Sequence, residues 1–427
     1  MQYRFPKIFG SWGGSPLPTG ETPVPGGHPY STAADAELLN RVSLVLSCGP
    51  TSRGFLWWPG SPVMRCLAFL HCQRQTEDLL QRSLPLDRAS PALLVALFVG
   101  CGVASTEYDS CCETLDTCPA PGLGVLVGGF TGSGEDALAT PMRRLILMGG
   151  GAEDDLASRS FVESAGGGDI VILRASGSLT SYPSYFSLTL SPNPPSASVV
   201  TLLTNIPGQG ADPAVLCWLS RAEAVWLAGG HQWDYLGLWP HELHRALAEV
   251  SERGGAVGGT SAGAVALGEA AFDAQFGTVT SETALENPLG AVVSISYPSF
   301  AQPELSGVLV DSHFRQRSRE GRMLAFLARF MSERSHSSVL GIGLDERVAV
   351  ILENDSLEVS TQGQDGAWFY ELRAPVSLTP GTPLNLSDLR RIKLGAGSHV
   401  PWPLDFDSLD AEQIHVDDGV VTLGAPG

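Results

Sequence analysis

From about Arg143 onward, short apolar runs recur at residues 144–149, 169–175, 198–204, 224–228, 255–259, 307–312 and 339–344, mostly separated by segments long enough for a crossover helix. Runs of this length, rich in Val, Ile and Leu, read as strands buried on both faces. Strands that alternate with helices predict a parallel sheet covered on two sides. The clearest helix is His241 to Arg253, with Leu243, Leu247 and Val250 on one stripe and Gly254-Gly255 as its stop. The expected fold is α/β: a three-layer, doubly wound, mostly parallel sheet whose right-handed crossovers carry the strand ends toward one edge. After Leu344 the rhythm shortens. Val348–Leu352, Ser356–Ser360 and Trp368–Leu372 are separated by Asn354-Asp355 and Gln364-Asp365-Gly366 turns, which predicts a C-terminal antiparallel β extension, packed on the sheet edge or forming a small cap. Residues 373–427, with a last strand near Val416 to Leu423, continue it or trail as a tail.

Three of these strand ends carry reactive side chains. Around Ser261 the chain reads Gly258-Gly259-Thr260-Ser261-Ala262-Gly263-Ala264, entered from a strand and left by an Ala-rich helix. In a sharp strand-to-helix turn the hydroxyl points off the sheet, small neighbours let the backbones pass, and helix N–H groups face a developing oxyanion. Gly-x-Ser-x-Gly also arises by chance in a chain with 49 glycines, so the motif needs partners. The run Gly307–Val310 ends in Asp311-Ser312-His313, a general base just past a buried strand. The run Val339–Leu344 ends in Asp345-Glu346, a carboxylate able to orient an imidazole. The order Ser, His, acid departs from the α/β-hydrolase order Ser, acid, His.

Gly229-Gly230-His231-Gln232, then GGTSAGA, then DSHFRQRSREGR, then GIGLDE, together with the opening strand Leu145–Asp154, resemble the cyanophycinase branch of the serine peptidases, which includes aspartyl dipeptidase. The resemblance covers roughly residues 143 to 355. It implies a class I glutamine amidotransferase-like fold, with Ser261 as nucleophile, His313 as general base and Glu346 as the acid behind it. It also implies that Gln232, Asp311, Arg317, Arg319 and Arg322 line the substrate pocket. Two positions depart from the pattern: His231 stands where Asn is usual and Ser312 where Gln is usual. The implied substrate is cyanophycin, a polyaspartate with arginine on each side-chain carboxyl, released as β-Asp-Arg dipeptides. Arginine forks suit its carboxylates. On a helix Arg315, Arg319 and Arg322 share a face and Arg317 points nearly opposite, so either the helix starts after Arg317 or that arginine leaves the pocket. Backbone N–H groups near Ala262 and in the Gly229-Gly230 turn, Gly230 among them, are the expected oxyanion donors. No cofactor and no metal is required. The alternatives are an exo- or dipeptidase on other aspartyl or isoaspartyl peptides, and a non-catalytic surface lipoprotein that binds peptide in the same cleft. A homodimer is compatible with either.

A net charge of −19 argues against nucleic acid as a partner. No apolar run reaches the 18 or so residues of a membrane span. Residues 1–87 read as disordered or as wrongly translated upstream sequence, being rich at the start in Pro, Gly, Ser and Thr. Residues 88–101, Arg88 to Cys101, place a positive residue and an apolar stretch before cysteine, the form of a bacterial lipoprotein signal with Cys101 as lipidation site. The expected location is secreted or membrane-anchored, and cytoplasmic if this segment is no signal. Residues 102–142 read as a flexible linker: the Gly122–Gly134 stretch fits no Gly-x-Gly-x-x-Gly loop. Cys111, Cys112 and Cys118 cluster there, so two of the three are expected to pair after export, while Cys217 reads as a buried apolar residue. The catalytic domain is then 143–347, and 348–427 is the β-rich extension.

Overall fold

Each expected run forms a strand in the computed structural model, which describes residues 118–193, 195–204, 209–373 and 375–424. The strands in chain order are β1 (Leu126–Gly132), β2 (Leu145–Met148), β3 (Asp169–Arg174), β4 (Ser198–Leu203), β5 (Ala224–Leu227) and β6 (Ala256–Thr260). Next come a short pair, β7 (Ala271–Phe272) and β8 (Ile295–Ser296), then β9 (Val308–Asp311) and β10 (Val339–Leu344). The C-terminal strands are β11 (Val348–Glu353), β12 (Ser356–Thr361), β13 (Ala367–Leu372), β14 (Leu386–Leu394), β15 (His399–Pro401), β16 (Glu412–Asp417) and β17 (Val420–Leu423).

Among the described residues the main sheet has nine strands in the order β1-β4-β3-β5-β6-β2-β11-β12-β15. Its centre, β4-β3-β5-β6-β2, is parallel. Side chains alternate between two apolar layers. Val171, Leu173, Val225, Leu227 and Val257 face one core, and Ile170, Ile172, Ala224, Trp226 and Ala256 face the other. That two-sided burial is why these strands read as unbroken apolar runs. The expected helix spans His241–Glu252 and buries Leu243, Leu247 and Val250, with Gly254 at φ +82° just beyond it.

Four expectations are corrected. First, β9 and β10 do not continue the main sheet. They pair in parallel with each other in a second, six-stranded sheet of order β17-β16-β14-β13-β10-β9, otherwise antiparallel. Second, residue 348 is no domain boundary. Strand β11 pairs antiparallel with β2 and carries β12 and β15 on its outer side, while β13, β14, β16 and β17 build the second sheet. The meander is divided between the two sheets, because its strands complete edges that residues 143–347 leave open. Third, residues 118–142 are not simply a linker: β1 closes the main sheet's other edge, antiparallel to β4. Fourth, Cys217 is bonded to Cys118, with Cα atoms 5.7 Å apart. The bridge ties the segment leading into β1 to the helix Pro213–Arg221. Pairing within a sequence cluster gives way to pairing across the fold.

Residues 1–87, the signal-like segment 88–101 with Cys101, and Cys111 and Cys112 lie outside the described residues. Among the described residues no helix is long and apolar enough to cross a membrane.

The Cys118–Cys217 bridge closes a loop with a sequence separation of 99 residues. Replacing both cysteines by serine is expected to lower the unfolding free energy by about 2–5 kcal/mol. Denaturant titration of both proteins under oxidising conditions measures it, and equal midpoints would refute the expectation.

Candidate active site

The loop that leaves β2 holds three other loops by three successive carbonyls. Ser261 N–H donates to the Met148 carbonyl (3.0 Å), His313 N–H to Gly149 (2.8 Å) and Arg347 N–H to Gly150 (3.0 Å). Each bonded residue is, or directly follows, one of Ser261, His313 and Glu346. The side chains then form a continuous chain: Ser261 Oγ lies 2.8 Å from His313 Nε2, and His313 Nδ1 lies 2.7 Å from Glu346 Oε1. Strand ends from two different sheets therefore converge on one hydrogen-bonded line.

Local backbone explains the display of each group. Ser261 sits at φ 52°, ψ −118° between β6 and the short helix Ala262–Val265. A non-glycine residue held there is strained, and the strain aims its hydroxyl away from the turn. The turn closes because a Cβ on Gly259 would lie 2.7 Å from the Gly263 carbonyl carbon, leaving room only for glycine. His313 is also at positive φ, 47°. Gly150, at φ +91°, passes so close that an added Cβ would lie 2.5 Å from His313 Nε2 and 3.1 Å from Ser261 Cβ. The Gln316 amide oxygen accepts the Glu346 N–H at 3.0 Å and links the histidine loop to the acid loop. Neither Gly150 nor Gln316 is signalled by residue type, since their roles lie in backbone approach and in a side chain bonding across loops.

Burial lowers the His313 imidazole below its ordinary value, the Glu346 hydrogen bond opposes this, and the Arg317 and Arg319 charges add to the lowering. The ring is therefore neutral at neutral pH. Glu346 is half-buried, and the preceding Asp345 is fully buried and points elsewhere, taking N–H groups from Arg315 and Gly366. That contrast identifies which of the two adjacent acids reaches the imidazole.

The residues expected in the pocket divide. Arg322 is 1% exposed and grips Asp311 with two nitrogens, Nε at 2.8 Å and Nη2 at 2.6 Å, its guanidinium lying over Phe272 and Phe326. Arg319 is buried too, and donates Nη1 to Asp311 (3.2 Å) and to the Ser312 carbonyl (2.6 Å). Burial alone would raise the Asp311 carboxyl, yet Arg322 and Arg319 outweigh it and hold it below its ordinary value. Asp311 is thus shared by Arg319 and Arg322 inside the protein, one carboxylate between two guanidinium groups, and in this structure all three side chains are turned to one another. A buried arginine needs a partner, and Asp311 is it. The helix spans Glu320–Arg334, so it starts after Arg317, which is exposed and has no ion-pair partner among the described residues. Gln232 is half-buried at the start of the helix Gln232–Leu236. The Gly229-Gly230 turn passes the sharp turn at Ser261, where a Cβ on Gly229 would lie 3.5 Å from Ser261 Cβ. Ala262 opens the helix after Ser261, where backbone N–H groups lack intrahelical acceptors.

Arg322→Met leaves the buried Asp311 carboxylate with Arg319 alone and is expected to cost about 3 kcal/mol of stability, while the exposed Arg317→Ala stays within about 0.5 kcal/mol of the parent. Because Asp311 titrates below its unfolded value, its contribution is present above that value and disappears as pH falls through the folded one, so the parent and Arg322→Met should converge in stability in acid. Urea melts at neutral and acid pH read both. Gly150→Ala, which drives a methyl into the imidazole, is expected to reduce turnover by about 100-fold. Undiminished turnover would show that the loop yields.

No protein-family model matches the chain. It is similar to the cyanophycinase of Geminocystis herdmanii, 28% identical over 272 residues that cover 60% of this chain and 93% of that protein. It is 29% identical over 220 residues to the cyanophycinase of Synechococcus elongatus, covering 49% and 63% of the two. The cyanophycinase of Trichormus variabilis is 30% identical over 148 residues, 34% of this chain and 44% of its own. The chain thus spans nearly all of the first relative and less than two thirds of the other two. Among solved structures, a peptidase from an acI-B1 Actinobacterium aligns with a TM-score of 0.43 at 14% identity, over 61% of this chain and 98% of that one. By sequence the chain is similar to the cyanophycinases, along nearly the whole length of the Geminocystis herdmanii protein.

Proposed function

We propose that the protein is a serine peptidase that hydrolyses cyanophycin to β-Asp-Arg dipeptides. The observation that carries this reading is the unbroken line from Ser261 Oγ through both His313 nitrogens to Glu346, at 2.8 and 2.7 Å. The neutral imidazole takes the hydroxyl proton as Oγ attacks the scissile carbonyl, and Glu346 stabilises the imidazolium that results. Backbone N–H groups of Ala262 and the Gly229-Gly230 turn receive the oxyanion. The imidazolium then gives its proton to the leaving amine, and water, deprotonated by the same ring, releases the acyl group. Arg317, exposed and close enough for its charge to lower the His313 imidazole, is the cation that meets a substrate carboxylate, with Gln232, at the start of the helix after the Gly229-Gly230 turn, as a second pocket residue.

A second reading is an exo- or dipeptidase acting on other aspartyl or isoaspartyl peptides. It is favoured by the withdrawal of Arg319 and Arg322 into the interior, which leaves Arg317 as the arginine of the histidine loop with no ion-pair partner among the described residues. A substrate panel of insoluble cyanophycin, α-aspartyl and isoaspartyl dipeptides separates the two readings.

Export is part of the proposal. A structural disulfide such as Cys118–Cys217 persists in an oxidising compartment, which supports the Arg88–Cys101 segment as signal and Cys101 as lipid anchor. A Cys101→Ala protein that still partitions with membranes would count against the anchor.

Full-length protein is expected to release β-Asp-Arg from cyanophycin, and Ser261→Ala to release none while melting like the parent. A substantial residual rate in Ser261→Ala would remove the nucleophile assignment. Since His313 must be neutral to act, kcat/KM should fall as pH drops through a limb below the ordinary histidine value of 6.5. Arg317→Gln removes a charge that lowers this group and should move the limb upward.

A further inference from the structure

Strands β9 and β10 are parallel neighbours in the second sheet, with Gly343 opposite Asp311, so the chain leaves both at the same edge. His313 stands two residues past β9 and Glu346 two residues past β10. The Phe314 N–H donates to the Leu344 carbonyl at 2.9 Å. The Phe314 ring lies against Gly343, where an added Cβ would fall 2.6 Å from it. Beyond Leu344 the ladder has ended, and side chains carry the connection between the two loops.

Among them is a carboxylate that the Ser261–His313–Glu346 line does not use. Asp345 is fully buried, next in sequence to the acid of that line. Its Oδ1 accepts the Arg315 N–H at 3.0 Å, and its Oδ2 accepts the Gly366 N–H at 3.3 Å and the Trp368 Nε1–H at 3.4 Å. The Arg315 Nε lies 3.6 Å from Oδ2 and supplies the buried charge with a counter-ion. The acid loop thus holds a main-chain N–H of the histidine loop. The histidine loop returns the contact, since the exposed Gln316 takes the Glu346 N–H on Oε1 at 3.0 Å. Both bonds lie within three residues of the partners in the 2.7 Å contact between His313 Nδ1 and Glu346 Oε1. The Glu346 side chain is 35% exposed, and a long side chain open to water keeps much rotamer freedom unless its backbone is fixed.

We propose that Asp345 and Gln316 are positioning residues for the general base: as a reciprocal clamp between two loops they set the height of Glu346 against the imidazole, so that the carboxylate meets Nδ1 throughout proton transfer. The inference rests on the reading of Ser261, His313 and Glu346 as nucleophile, base and acid. Both residues bind main-chain N–H groups, and so act through the residues that carry the chemistry.

The test is the rate at which a fluorophosphonate modifies Ser261 in the full-length protein, followed by intact mass across pH, with circular dichroism and melting as fold controls. In that reaction Oγ displaces fluoride from phosphorus and His313 takes the hydroxyl proton. Gln316→Ala is expected to lower the maximal rate about 10-fold, less than the roughly 100-fold cost of a displacement of about 1 Å. It should also move the acid limb of the rate to lower pH: burial lowers His313 and the Glu346 hydrogen bond raises it, so a loosened contact leaves the imidazole lower still. The substitution is neutral, so a moved limb reports geometry rather than charge. Gln316→Glu, which keeps an acceptor oxygen, should restore most of the maximal rate. Asp345→Asn keeps the shape but turns an NH2 toward either the Arg315 N–H or those of Gly366 and Trp368, and should lower the rate about 10- to 100-fold. A parental rate in folded Gln316→Ala or Asp345→Asn, a slower Gln316→Ala with an unmoved limb, or a Gln316→Glu no faster than Gln316→Ala overturns the proposal. If Asp345→Asn does not fold, the Gln316 variants decide. If the parent itself is not modified at Ser261, the nucleophile reading fails first and takes this one with it.

Discussion

Everything at the candidate site hangs on the end of β2. The consecutive carbonyls of Met148, Gly149 and Gly150 each receive one N–H, from Ser261, His313 and Arg347, and so register three loops against a single edge of backbone. Each bond is worth only about 0.5–1.5 kcal/mol net. Their value lies in geometry, because a hydrogen bond of fixed length leaves the loop little latitude, and three in a row set the relative heights of Ser261, His313 and Glu346. The glycines at 149 and 150 are what make this possible, since a side chain on Gly150 would occupy the imidazole's own space.

The same economy of space explains the arginines. A stretch of sequence crowded with Arg beside a reactive histidine invites the view that all of them face substrate. Two instead face Asp311, buried one residue before Ser312, and stiffen the strand end from below. Only their partners distinguish an arginine that binds from one that braces, and a partner eight or eleven residues away on another element leaves no mark on residue type.

Much of the fold was legible because parallel strands buried on both faces carry an unmistakable apolar run, as in Leu145–Met148 and Val225–Leu227. The sharp turn at Ser261 was legible for the same kind of reason: glycines flank Ser261 where backbones touch. Sheet membership was not. Periodicity reports that Val308–Asp311 is a strand, yet which neighbour it pairs with is decided by packing of residues far away in sequence. The disulfide was hidden likewise, since Cys118 and Cys217 meet through the docking of β1 rather than through spacing.

The placement of β11 has a temporal consequence. All three residues of the hydrogen-bonded line are already present when the chain has been made as far as Glu346, yet the strand that flanks β2 on its far side, and the Val348 carbonyl that takes the Gly149 N–H, are still to come. Pairing across roughly two hundred residues is slow to form, because loop closure precedes any reward. A nascent chain that ends before β11 therefore carries Ser261, His313 and Glu346 without the strand that flanks β2, so the order of synthesis sets when the frame around the three side chains can close.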